Sequence, residues 1–173
     1  KARLRMIRYH LDIDDLHRHH YRVTLTLPNP APLQRLSLPV WIPGSYLVRE
    51  FSQHLQNLRA HANGQPVPLM QMDKHRWRIE ASPAGPLEVT YEVYALDASV
   101  RTAWLDASRG FFNGTSLCLR VVGQEDHPHH LQILPPNATL VPSLADWQLA
   151  TGLQALDTDE RGFGTYLAGS YGQ

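Results

Sequence analysis

Histidine is the residue type here with the widest chemical reach, and the chain has ten of them among 173 residues. Two clusters stand out, His17-Arg-His19-His20 and His127-Pro-His129-His130. On a strand, residues two apart share a face, so His17 and His19 would reach toward one metal ion. Zinc needs three or four protein ligands with orienting partners behind them, and each cluster supplies pairs. Solvent-facing strand ends and loops account for both, and no metal site is assigned. None of the ten histidines is followed by glutamate, so the His-Glu-x-x-His helix of a zinc peptidase is not in this sequence.

Other chemistry-bearing residues lead less far. Ala168-Gly-Ser170-Tyr-Gly172 nearly matches a nucleophile elbow, but Ala stands for its first Gly and no helix is expected to follow. Gly162-Phe-Gly164 lacks the third glycine of a dinucleotide fingerprint. Asp12, Asp14 and Asp15, like Asp157, Asp159 and Glu160, sit among polar residues where solvated turns are expected rather than paired acid–base work. Cys118, between Leu117 and Leu119, reads as a buried structural thiol, and a single cysteine excludes an internal disulfide. No catalytic residue is assigned.

Two stretches carry more specification. In Trp41-Ile-Pro43-Gly44-Ser-Tyr46, proline fixes one backbone angle and glycine frees another, so the chain turns sharply while two aromatics pin the corner. In Arg109-Gly-Phe111-Phe112-Asn113-Gly114-Thr115, an apolar pair precedes an Asn-Gly turn, which displays hydrogen-bonding groups beside apolar ones at a hairpin tip. Such a tip plugs into a neighbouring domain, lines a ligand cleft, or folds its phenylalanines back on its own core.

The elements that must position these stretches are strands. Thirteen prolines and eleven glycines punctuate the chain at short intervals. Alternating apolar and polar residues predict strands over 6–13, 21–27, 36–40, 76–80 and 87–94, with others at 116–122 and 131–134. Residues 48–53 read as a helical turn and 55–61 as a strand turning back at Asn63-Gly64. The fold class expected is all-β, an antiparallel β-sandwich with at most short helical turns. Residues 1–156 would form the sandwich and 157–173 an irregular extension.

Composition narrows the functional classes. Sixteen basic residues balance sixteen acidic ones, so no field exists to draw in nucleic acid or an anionic membrane. No apolar run approaches the roughly 20 residues of a membrane helix, and no signal-peptide core follows the basic N-terminus. The cytoplasm is the expected compartment, with the periplasm the alternative if a signal peptide has been removed. Both ends read as cut from a longer polypeptide.

Taken together, these words resemble the N-terminal domain of the glycyl aminopeptidases, PDZ-containing zinc metallopeptidases (peptidase family M sixty-one). The resemblance runs in order through Trp41–Tyr46, Tyr91–Asp97, Ser99-Val-Arg101, Leu105-Asp106, Arg109–Ser116, Trp147 with Ala150-Thr151, and Tyr166–Tyr171. It implies a parent with three modules: this β-domain, a helical zinc domain and a PDZ domain. Zinc, the activated water and the glutamate base would all belong to the absent catalytic domain, and a peptide would be the substrate. The resemblance gives Arg109, Phe111, Phe112, Asn113, Gly114 and Thr115 as cleft-rim or domain-interface candidates, and Trp41, Pro43, Gly44, Tyr46 and Arg101 as structural motif. The expected function is a non-catalytic scaffold forming part of the parent's substrate cleft. The alternative is a free-standing sandwich that binds a peptide or protein through residues 109–116, and a small metalloprotein using the histidines trails both.

Overall fold

The computed structural model describes residues 6–15, 20–37, 55–73, 76–80, 85–94, 103–105, 110–112, 118–134 and 153–169. They hold fourteen strands and no helix. In chain order these are β1 (Ile7–Asp15), β2 (His20–Leu27), β3 (Leu33–Ser37), β4 (Leu55–Ala62) and β5 (Gln65–Val67). Then come β6 (Leu69–Gln71), β7 (Arg76–Glu80), β8 (Leu87–Tyr94), β9 (Ala103–Leu105) and β10 (Gly110–Phe112). The last four are β11 (Arg120–Val121), β12 (His129–Ile133), β13 (Gln154–Thr158) and β14 (Gly164–Ala168).

Eight strands make one sheet in the order β13-β14-β12-β1-β2-β8-β4-β5, and four make a second, β11-β3-β7-β6. A two-stranded ribbon, β10-β9, stands apart from both. Among the described residues every pairing is antiparallel except β1 with β12. Alternation decides which side chains go inward: Ile7, Tyr9 and Leu11 of β1, Val23 and Leu25 of β2, and Val89 and Tyr91 of β8 are buried. From the smaller sheet, Leu36, Trp77 and Ile79 join the same buried cluster. Two sheets facing one core is a β-sandwich, as the alternation predicts.

The Asn63-Gly64 turn falls where expected. Both residues are left-handed, with φ of 51° and 74°, and β4 and β5 pair across them. This matches the turn whose twist suits a two-residue hairpin. A feature not read from the sequence is a bulge in β4, where Gln56 faces Glu92 but Arg59 faces Thr90. Asn57 takes the left-handed conformation there (φ 54°), which asparagine tolerates better than most residues.

Two expectations are corrected. Residues from Asp157 onward are not an irregular extension up to Gly169. β13 and β14 form a hairpin that pairs with β12, and Phe163 and Tyr166 enter the core. The Gly- and Asp-rich segment is its turn, where the Asp159 carboxylate accepts from the backbone N–H of Arg161 and of Phe163. Gly164 is required there, because a Cβ would lie 2.1 Å from the Asp157 carbonyl oxygen. Among the described residues 118–122, Cys118 and Leu119 are not strand, β11 is Arg120–Val121, and Val122 adds one backbone bond to the Arg35 carbonyl. The helical turn predicted over 48–53 lies outside the described residues.

Candidate functional site

The described part of the candidate rim is the ribbon. Phe111 pairs with Trp104, Phe112 with Ala103 and Gly110 with Leu105. Phe111 and Phe112 therefore lie along a strand, and the chain reverses between Leu105 and Gly110, ahead of them. Arg109, Asn113, Gly114 and Thr115 lie outside the described residues, as do Trp41, Pro43, Gly44, Tyr46 and Arg101.

What ties the segment downstream of the ribbon to the sandwich is a pair of tyrosines. Tyr9 of β1 donates its hydroxyl to the Leu119 carbonyl at 2.5 Å, and the Leu119 N–H donates to the Tyr91 hydroxyl of β8 at 3.0 Å. Both rings project from the inner face of the large sheet, where a hydroxyl needs a partner to offset its desolvation. Both polar groups of one buried residue are thereby satisfied by side chains from two strands. Leu119 directly precedes β11, so the clamp joins the edge of the small sheet to the interior face of the large one. The sequence signal for it was a pair of tyrosines on inward-facing strand positions.

His129 of β12 stacks on Tyr9, with ring centres 5.9 Å apart and planes 11° from parallel. Burial is the main influence on its pKa and lowers it below the ordinary 6.5; the His127 charge also lowers it, while a backbone hydrogen bond at His127 and the Glu125 charge act upward. Its neighbour His130 belongs to the opposite face of the strand, since successive residues alternate, so the pair cannot converge on one ion. His17 and His19 lie outside the described residues. Among the described residues no three His, Cys, Asp or Glu side chains gather to hold a metal. These residues do not fit a zinc centre.

The other sequence candidates are dispersed. Cys118 is buried, and burial pushes its thiol up to about 12, away from nucleophilic chemistry at neutral pH. Asp12 faces Arg22 across the β1–β2 pair, and Asp157 faces Thr165. His10 meets Gln132 through Nδ1 and Oε1 at 2.9 Å on the outer face of the large sheet.

The fold thus defines a two-sheet β-sandwich domain with a satellite ribbon. The Peptidase M61 N-terminal domain model matches residues 8–173, and the chain belongs to that family. It is similar to an aminopeptidase N family protein from Idiomarina loihiensis, with 43% identity over 96% of this chain and a TM-score of 0.87. A zinc metallopeptidase of the M1 type from Deinococcus radiodurans shares the fold at 17% identity over 94% of this chain, with a TM-score of 0.51. The chain spans 27% of the length of the first and 37% of the second. No curated protein matches it. The chain is therefore a protease-associated N-terminal domain.

Proposed function

We propose that this domain is the non-catalytic N-terminal part of a zinc metallo-aminopeptidase of the glycyl aminopeptidase type, serving as scaffold and as one wall of the substrate cleft. The observation that carries the reading is 43% identity, across 96% of the chain, to an aminopeptidase N family protein of which it covers 27%. Zinc and the groups that activate water belong, in this reading, to a helical catalytic domain elsewhere in the polypeptide, followed by a PDZ domain. The partners of the chain are those two domains and the peptide substrate, and the compartment is the cytoplasm.

The ribbon supplies the wall. Phe111 and Phe112 lie along a strand of it, and in the sequence Arg109 precedes them and Asn113, Gly114 and Thr115 follow, residue types suited to a hydrogen-bonding rim. The tyrosine clamp at Leu119 fixes where the segment that follows the ribbon rejoins the sandwich. A rim contact made in the transition state is worth about 1.4 kcal/mol for each tenfold in rate. Asn113→Ala in the full polypeptide is expected to lower kcat/KM for glycyl substrates by about tenfold with folding unchanged. Unaltered kinetics would remove the rim role. A gene with no in-frame His-Glu-x-x-His downstream would remove the peptidase reading altogether and leave the partner-binding module.

A further inference from the structure

The outer face of the small sheet breaks a rule that the rest of the domain keeps. Arg35 of β3 lies directly opposite Arg78 of β7, and like charges so placed repel. Among the described residues no acid pairs with Arg35, and Arg78 has a long ion pair with Glu80 at 4.0 Å. Arg78 donates one N–H to the Met70 sulfur at 3.5 Å, a weak acceptor, while its buried Nε has no hydrogen-bond partner. A guanidinium is a planar fork suited to a carboxylate. Here that fork has a long ion pair, a sulfur acceptor and one buried N–H with no partner.

Apolar surface surrounds it. Met70 faces Arg78 from β6, Met72 follows two residues on, and Leu33 begins β3. They are 56%, 47% and 42% exposed, and with Leu156 they are the exposed large hydrophobic residues among those described. Arginine and methionine are enriched where proteins meet, and a local rule broken without internal compensation marks a functional surface.

The geometry points to the outer face of the small sheet, around Arg35, Arg78, Met70 and Met72, as the docking surface for the remainder of the same polypeptide, through a carboxylate-bearing apolar patch on that part. This rests on the reading of the chain as one domain of a longer protease. Charge selects the occupant. Two facing arginines served by one long ion pair call for a further carboxylate, and three exposed apolar side chains call for apolar cover. The large sheet's outer face, with acids facing bases, offers neither demand.

Methionine oxidation tests it, because peroxide reaches a thioether in proportion to its exposure. In the full polypeptide, Met70 and Met72 should oxidise about tenfold more slowly than in the 173-residue chain, a difference of about 1.4 kcal/mol in access. Met6 serves as the internal reference. Arg35→Glu with Arg78→Glu in the full polypeptide should restore the fast rate, while Arg8→Glu on the large sheet should leave it slow. Equal rates in the full polypeptide and the short chain overturn the docking surface but leave the protease reading intact. A gene product of 19.6 kDa in cells overturns the protease reading itself, and with it this inference.

Discussion

On the outer face of the eight-stranded sheet Arg22 lies between Asp12 on one neighbour and Glu92 on the other, whereas on the four-stranded sheet Arg35 lies opposite Arg78. The first arrangement continues through threonines, Thr24 facing Thr90, and through His61 facing Glu88. Such a face is complete in water. The second carries exposed methionine and leucine, and the buried Nε of Arg78 has no hydrogen-bond partner while its ion pair with Glu80 is long. A sandwich needs only its inner faces to fold, so the outer faces are free to diverge, and it is on this divergence that the proposed docking surface rests.

Both faces rest on one core, and the largest effects should come from there. Ile79→Ala beneath the small sheet and Leu25→Ala beneath the large one, both fully buried, should each cost about 2–5 kcal/mol. Chemical denaturation followed by tryptophan fluorescence and by far-UV circular dichroism should give coincident curves for both variants. Separate transitions would mean the sheets fold as two units and the comparison concerns two modules.

Next in size is the clamp between the sheets. Tyr9→Phe and Tyr91→Phe each strand one backbone group of the buried Leu119, at a cost of about 1–3 kcal/mol. Because both phenols serve the same residue, the double variant should cost a different amount from the sum of the single ones. Simple additivity in the denaturation midpoints would show that the two bonds act independently.

The two outer faces should respond with opposite signs to the same substitution. Arg22→Glu sets three acids in register and should destabilise by about 0.2–1 kcal/mol, whereas Arg35→Glu replaces a repulsive pair by an attractive one and should stabilise by a similar amount. Thermal unfolding of the 173-residue chain at low salt reads both signs, and the gap should shrink as salt is added. The same sign for both would erase the distinction between the faces.

A smaller, graded effect belongs to pH. Burial holds the His129 pKa below 6.5, so the unfolded chain takes up its proton more readily than the folded one. Its contribution to stability is therefore full above about pH 6.5 and is lost as pH falls through that value toward the folded pKa. Denaturation midpoints between about pH 7.5 and pH 5 should fall for the parent chain and fall less for His129→Gln. Parallel profiles would assign the pH dependence to other groups.

Much of this was legible in the residues. Alternation located β2, β7 and β8 closely, because a strand with one wet face must repeat every second residue. Asn63-Gly64 announced its hairpin, because two successive left-handed residues favour that pair of types. The lack of a zinc helix was equally plain, and so was the family to which the chain belongs. The terminal hairpin was missed because its glycines and aspartates are turn residues, and Gly164-Thr-Tyr-Leu-Ala168 alternates too briefly to stand out alone.

Local stereochemistry and residue identity were enough for the longer alternating strands β2, β7 and β8, for their inward stripes and for the Asn63-Gly64 hairpin. Tertiary structure alone decided that Tyr9 and Tyr91 would grip one backbone residue, that β1 would pair in parallel with β12, and that Arg35 would lie across from Arg78. Each joins residues far apart in the chain, and no local pattern records a partner that only the register of the sheets brings near.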